Sequence, residues 1–357
     1  MEIVYIHPQQ PQDREIHRWR CLIPAEAVFR TGRHQANLLS LKEFISHSER
    51  AEQLCRAADL LVIQHNLIGP ALSQVQHWKA RDKTIILDIQ KTKAEMSAGA
   101  PGYRQWIQSL QNSGAIPSGR LDPPGPVQLE WALKLVHGAT AASRQLEREW
   151  RRYAPRYLPS YINVDDYSNV SRDTMPGTVI GWVFSPDQNS ITADHPVHTA
   201  LRHICQREPT IQVHCLGMSP KSFQTLPVPP RQKWLIPRET EHRWANQLSR
   251  IDIGILPRQL NSSEHFLRIR ILEFMVMKIP WVSSDPAVGS RLQELGRMIE
   301  DCPEDWILTL NELTAQGTQD SSAGGQNSYL YGISQHIDDH VDSLLEIYRG
   351  FHATAKR

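Results

Sequence analysis

Nothing in this sequence approaches the roughly 18–20 consecutive apolar residues that a membrane-spanning helix needs, so no transmembrane segment is expected. An excess of charge is also missing. The formal net charge is +1, too little to gather a polyanion, and bulk nucleic-acid binding is not expected. Cysteine is scarce: Cys21, Cys55, Cys205, Cys215 and Cys302 are odd in number, scattered, and lack metal-ligand spacing. They read as reduced thiols of a cytoplasmic protein. The sixteen histidines are dispersed as well. His336 and His340 stand one helical turn apart, but no HExxH-type set accompanies them, and no metal site is expected. The stretch 8–20, PQQPQDREIHRWR, contains no glycine, which excludes a dinucleotide or Walker-type phosphate loop behind the first apolar run. Met1-Glu2 opens directly into that run, where a secretory leader would have a basic and then a long apolar segment. No internal repeat period is visible.

What is there alternates. Apolar runs at 3–6, 59–64, 84–88, 139–142, 178–184, 211–217, 233–237 and 251–256 are separated by segments of helical character. These helical segments fall at 25–30, 42–58, 72–80, 129–136, 198–208, 243–249 and 264–277. Runs with unbroken apolar centres, alternating with helices, predict an α/β protein with parallel sheets. A length of 357 residues suggests two domains, and the polar stretch Tyr167 to Gly177 is the natural boundary. The expected division is 1–168, 169–334, and a closing helical segment 335–357. Glycine and proline are dense from Ala98 to Gly125, predicting irregular loop. Ala315 to Ser328 reads as a low-complexity loop.

One stretch organises the second half: Asp252 to Asp285, DIGILPRQLNSSEHFLRIRILEFMVMKIPWVSSD. Its order of strand, loop, helix and strand is one unit of a parallel sheet. Asn261, with Glu264 three residues on, fits a capping box. The helix is apolar nearly all round, as a buried helix is, and Arg268, Arg270 and Glu273 stand out against it. Arg270 and Glu273 are three apart and can simply pair, with Arg268 reaching solvent. Alternatively, the position matters. The helix starts at the carboxyl end of a strand, where open α/β sheets bind ligands and free N–H groups favour phosphate. A carboxylate deeper in the helix would then accept hydrogen bonds from a ribose diol.

The order and spacing of this stretch resemble the donor-site signature of GT-B-fold glycosyltransferases, in the large retaining group that uses nucleotide sugars. In that group two glutamates eight positions apart flank the helix start. Glu273 matches the one that contacts ribose; the sugar-side position falls on His265, with Glu264 one residue early. Thr178 to Phe184 is similar to the first strand of the family's second domain, which places Gly181, Trp182 and Ser185 at the donor edge. Asp88, in TIILDIQK, matches the first aspartate of a family strand end whose later acids are replaced here by Gln90 and Lys91. The segment from His17 to Gly32 resembles the family's first strand-to-helix loop and makes His17 and Arg20 candidate acceptor-side or phosphate-facing residues. A solvated basic turn is the other reading of that loop. Ser160, Tyr161 and Asn163 replace residues of a further family motif.

The resemblance implies an α/β, GT-B architecture: two Rossmann-like domains with parallel sheets facing an interdomain cleft, and a C-terminal helix crossing to the first domain. It implies a hexosyltransferase-type glycosyltransferase that moves a sugar from a nucleotide diphosphate sugar, with UDP or GDP as carrier, to an acceptor hydroxyl with retention. The acceptor would be a glycan, a lipid-linked, protein or small molecule. No cofactor besides the donor substrate is implied. The sequence has no D-x-D triplet, so leaving-group charge would fall on the helix start at Ser262-Ser263 and on Arg268 or Arg270, with no divalent ion. The implied catalytic residues are His17, Arg20, Glu264 and His265. The implied donor-binding residues are Gly181, Trp182, Ser185, Arg268, Arg270 and Glu273. Two alternatives stay open: a catalytically weak homologue that partners or regulates an active transferase, and a nucleotide-sugar epimerase, which shares the fold.

Overall fold

Strands such as Leu60–Gln64 (LLVIQ) and Thr84–Ile89 (TIILDI) are buried at every residue. A strand of this kind needs cover on both faces, which helical crossovers on a parallel sheet supply. The computed structural model describes all residues except 8–16, 65–66, 98, 113, 115, 120, 172–174, 185–193, 238–240, 260–262, 317–322 and 357. It contains two six-stranded sheets in which the paired strands are parallel. Each belongs to its own compact unit, one made of Met1–Tyr161 with Ile337–Arg357, the other of Ile162–His336. Among the described residues no helix is long and apolar enough to cross a membrane, and all five cysteines are unpaired.

The first sheet is ordered β2-β1-β3-β4-β5-β6. Its strands are β1 (Glu2–His7), β2 (Gln35–Ser40), β3 (Leu60–Gln64), β4 (Thr84–Ile89), β5 (Gly138–Ala141) and β6 (Arg156–Tyr157). The edge strand β2 is absent from the sequence reading because only its last two residues are buried. The expected single helix over 42–58 is two helices, Leu41–Ser46 and Glu49–Ala57. Ser40 and Glu43 form a capping box at the first; His47, in the left-handed region with φ 51°, ends it, and Ser48 caps the second. The stretch expected to be irregular, 98–125, holds the helix Pro101–Asn112, from which Tyr103, Trp106, Ile107 and Leu110 pack at helical spacing on the first core. The C-terminal helix Ile337–Ala355 completes this unit. Its Tyr348 is buried with its ring 6.4 Å from that of Tyr5, and its Phe351 occupies the space a side chain at Gly138 would take.

The second sheet is ordered β12-β11-β10-β7-β8-β9. Its strands are β7 (Val179–Val183), β8 (Gln212–Leu216), β9 (Lys233–Ile236), β10 (Ile253–Leu256), β11 (Trp281–Ser283) and β12 (Arg297–Met298). Counted within the unit, the order from β9 to β12 is 3-2-1-4-5-6, that of a dinucleotide-binding Rossmann sheet, which reverses between its first and fourth strands. The helix Glu264–Val276 crosses from β10 to β11 and buries ten of its residues. It packs so closely that a Cβ at Gly254 would stand 2.5 Å from the Phe274 ring. The second part of the expected loop 315–328 is helix, Ala323–Ile333, with 317–322 outside the described residues.

Candidate functional site

In the second unit β7 and β10 are neighbours whose crossovers leave in opposite directions, and such a switch point opens a crevice at the carboxyl ends of the strands. Past β10 the chain turns at Pro257, Arg258 and Gln259; past β11 it turns at Ser284 and Asp285. Side chains of the second turn hold the backbone of the first. Ser284 Oγ accepts from Arg258 N at 2.9 Å, and Asp285 Oδ2 accepts from Gln259 N at 3.2 Å. Asp285 Oδ1 also accepts from Ala287 N at 2.9 Å, and Ser284 Oγ donates to Asp301 Oδ1 at 2.7 Å. The Arg258 side chain is left exposed at this edge.

His195 caps the helix Pro196–Arg207 that leaves β7. Its Nε2 is 2.8 Å from the Arg258 carbonyl oxygen, which can only accept, while Nδ1 accepts from Val197 N at 3.3 Å. The ring is therefore the neutral Nε2–H tautomer, with Asp301 Oδ2 3.8 Å from the same nitrogen. Sequence reasoning missed Arg258, His195 and Asp301; each is an isolated polar residue, and only the topology brings them to one edge.

The helix Glu264–Val276 starts at the same edge. Its cap is Ser263, whose Oγ accepts from Phe266 N at 3.2 Å, in place of the Asn261 and Glu264 box; Asn261 and Ser262 lie outside the described residues. Glu264 is half-buried and leans toward the loop after β11, its Oε1 3.5 Å from where a side chain at Gly289 would begin. His265 is buried. Farther along, half-buried Arg268 is engaged by protein: its Nη2 donates to Gln335 Oε1 at 2.7 Å, and Tyr331 OH is 3.4 Å from Nη1.

Arg270 and Glu273, 1% and 2% exposed, pair through Arg270 Nη1 and Glu273 Oε2. Glu273 Oε1 accepts from Trp244 Nε1 at 2.8 Å and from Tyr167 OH at 3.0 Å. The guanidinium lies about equally far from the Trp244 and Phe266 rings, at 5.1 and 5.0 Å. Burial holds Arg270 below its ordinary pKa, and Glu273 only partly offsets this. Both oxygens of Glu273 thus already have protein donors. Gly181 leaves room for Ile251, whose Cδ1 is 2.4 Å from the position of a Cβ there. Trp182 is fully buried, its ring 4.7 Å from Phe184 and 5.8 Å from His198. Ser185 lies outside the described residues.

In the first unit the order also reverses, between β1 and β3. His7 ends β1, and its ring is 3.9 Å from that of His17. Burial and then the proximity of His7 lower the His17 pKa to about 4. Arg20 follows in a π-helical turn, Arg18–Leu22. It is not the solvated residue of a basic turn. Nε and Nη2 donate to Asp88 Oδ2 and Oδ1 at 2.8 and 2.5 Å, and Nη1 donates to Leu158 O at 2.6 Å. Burial opposes the charge on both residues of this pair, and the pairing outweighs it, raising the Arg20 pKa and lowering that of Asp88. Thr140 Oγ1 and Gln90 Nε2 complete the shell of Asp88 at 2.6 and 3.0 Å. The structure therefore brings together Arg20 with Asp88, Arg270 with Glu273, and Glu264 with the Gly289 loop after β11.

Two parallel sheets, each flanked by helices in a Rossmann-like unit, constitute a GT-B-like architecture. Solved structures share it. The Anabaena protein HepE, determined in complex with UDP, is similar over 98% of this chain and 100% of its own at 10% identity, with a TM-score of 0.60. The lipopolysaccharide outer core galactosyltransferase WaaB, in its apo form, matches over 98% and 99% at 9% identity and a TM-score of 0.56. A UDP-N-acetylglucosamine 2-epimerase matches over 98% and 97% at 9% identity and a TM-score of 0.51. No family model and no curated protein matches the sequence.

Proposed function

We propose that this chain is a nucleotide-sugar enzyme whose donor, of the UDP class, docks at the carboxyl edge of the second sheet and gives up its sugar to an acceptor hydroxyl with retention. The reading rests on one observation: the order reversal between β7 and β10 coincides with the start of a thirteen-residue helix. A helix N-terminus there favours a diphosphate. Arg258, exposed on a turn whose backbone is held by Ser284 and His195, supplies the mobile cation that a departing diphosphate needs. Glu264 and His265 are assigned to the sugar side, and Ser185, outside the described residues, to the donor. Gly181, Trp182, Arg268, Arg270 and Glu273 act behind that surface, holding the strand and helix in place. His17 is the acceptor-side base, neutral at physiological pH, and Arg20 positions Asp88. The chemistry runs on protein groups and a bound nucleotide, with no divalent ion required. The UDP held by HepE, a protein of similar fold, supports the choice of nucleotide.

Epimerisation is the second reading, favoured by the similarity to a UDP-N-acetylglucosamine 2-epimerase. Titration of the full chain with UDP, followed by product analysis with UDP-sugars, separates the possibilities. Saturable UDP binding that Arg258→Ala weakens by about 1.5–3 kcal/mol, the range for hydrogen bonds to charged groups, is expected. So is sugar release or transfer that survives chelator. An epimerised nucleotide sugar selects the second reading. Failure to bind UDP, or unchanged affinity in a folded Arg258→Ala variant, removes the assigned edge.

A further inference from the structure

Away from the strand ends, three side chains in the helical layer of the first unit have the chemistry of a metal site. His47 stands at the left-handed turn that ends Leu41–Ser46, Glu52 lies on Glu49–Ala57, and His77 lies near the end of the helix Pro70–Lys79. Glu52 Oε1 is 2.9 Å from His47 Nδ1 and 3.9 Å from His77 Nε2. One ligand atom from each residue lies within 4.8 Å of the other two. Ligands about 2.0–2.2 Å from a tetrahedral zinc ion are roughly 3.3–3.6 Å apart, a size that the 2.9 and 3.9 Å separations bracket.

Two further observations point to an ion. His77 Nε2 and Gln74 Oε1 are buried and have no hydrogen-bond partner among the described residues. Gln74 Nε2 is 2.7 Å from His47 Nε2. An ion on His47 Nδ1 would move that ring's proton to Nε2. Half a turn of the Gln74 amide would then let its oxygen accept the proton, the outer-shell hydrogen bond that ligating imidazoles make. The same ion would bind His77 Nε2 once Arg81 withdraws from Nδ1 and the ring's proton moves there. Two cations oppose it: Arg56 Nη2 is 3.7 Å from Glu52 Oε2, and Arg81 Nη1 is 3.2 Å from His77 Nδ1. Both arginines are exposed and can swing into water as the ion enters.

We propose that His47, Glu52 and His77 form a three-ligand site for a zinc-class divalent cation, its fourth position open to water. Two imidazoles and one carboxylate favour zinc over the oxygen-seeking magnesium and calcium. The ion would tie the turn after Leu41–Ser46 to the helix leading into β4, as a clasp separate from the nucleotide chemistry. The test is calorimetric titration of the full, chelator-stripped chain with zinc chloride, with thermal melts in parallel. One equivalent should bind, with at least a tenfold weaker constant in Glu52→Gln and in His77→Gln. A zinc-dependent rise in Tm should vanish in both variants and persist in His203→Gln, a histidine on the helix Pro196–Arg207. If His77→Gln fails to fold, Glu52→Gln, which alters a half-buried carboxylate that takes part in no hydrophobic core, decides. No binding by the unaltered chain, equal binding by the variants, or displacement of zinc by equimolar magnesium overturns the proposal.

Discussion

Glu273 illustrates how one residue supports two readings until its neighbours are known. Read along the sequence, it is a carboxylate on an apolar helix with Arg270 one turn away. The structure adds Trp244 and Tyr167 as donors to its second oxygen, from parts of the chain that no local spacing connects. A buried carboxylate with three protein donors acts as a tether for the helix. Glu273→Gln should therefore cost stability on the order of 3–5 kcal/mol, the price of breaking a buried pair, while the UDP dissociation constant of the folded fraction stays unchanged. Denaturant melts and a UDP titration check this; an equally stable variant with weakened UDP binding would return Glu273 to the ligand. Arg20 and Asp88 teach the same lesson. Each is visible as a charged residue among apolar ones, but their partnership spans 68 positions and is not legible in one dimension.

Histidines set the acid response at this scale. His214 has its pKa lowered to about 4 by burial and then by Arg250, and His17 by burial and then by His7. Unfolded, each has an ordinary value of 6.5. The folded values are depressed, so the unfolded chain takes up protons that the folded chain refuses. Stability from these groups is fully present above about 6.5 and falls as the pH drops toward 4. His214→Gln should flatten the slope of stability against pH in that window, as measured by urea midpoints; an unchanged slope would show that His214 protonates freely in the fold.

Elements were legible where burial is continuous. Parallel strands such as β3 and β4 announce themselves as unbroken apolar runs, and the unit from β10 to β11 reads correctly from Pro257 and Pro280 as stops. Errors occurred where one signal masked another. In the helix Pro101–Asn112 the flanking glycines and prolines hide a helical repeat of Tyr103, Trp106, Ile107 and Leu110. The Ser263 cap sits two residues past the one the capping-box pattern selects. Gly254 offers a sharp test of helix-on-strand packing. Its φ places no demand for glycine, yet a Cβ would meet three Phe274 ring carbons at 2.5 to 2.7 Å. Gly254→Ala should destabilise by about 1–3 kcal/mol, the usual cost of overpacking, and Phe274→Leu in the same chain should recover part of it. Additive losses in the double variant would refute that contact as the cause.

For the whole molecule, two parallel sheets were foreseeable from the alternation of apolar runs and helices, but the short or half-exposed strands β2, β6 and β12 and the strand orders were not. An order reversal depends on which crossover packs on which face, and no residue in isolation records it. The first unit is discontinuous in sequence, drawing Ile337–Arg357 from the far end of the chain. Tyr348, Phe351 and the ion pairs Arg30–Asp338 and Arg33–Asp342 fix that segment to it. Truncation after His336 should abolish the cooperative melting of the first sheet, read from hydrogen exchange of β1 and β3, while protection of β7 and β10 persists. Intact exchange protection in β1 would show that the C-terminal helix is dispensable.

The same discontinuity has a temporal side. A ribosome makes β1 well before Tyr348, with the whole of Ile162–His336 between them. Synthesis at roughly 5–20 residues per second leaves the underside of the first sheet waiting on the order of ten seconds or more while Ile162–His336 emerges. The later-made unit is contiguous and can finish first. The nascent chain thus carries an unfinished apolar surface on the first sheet until Ile337–Arg357 emerges, and a chain that stops before this segment would have one sound unit and one that chaperones and proteases recognise.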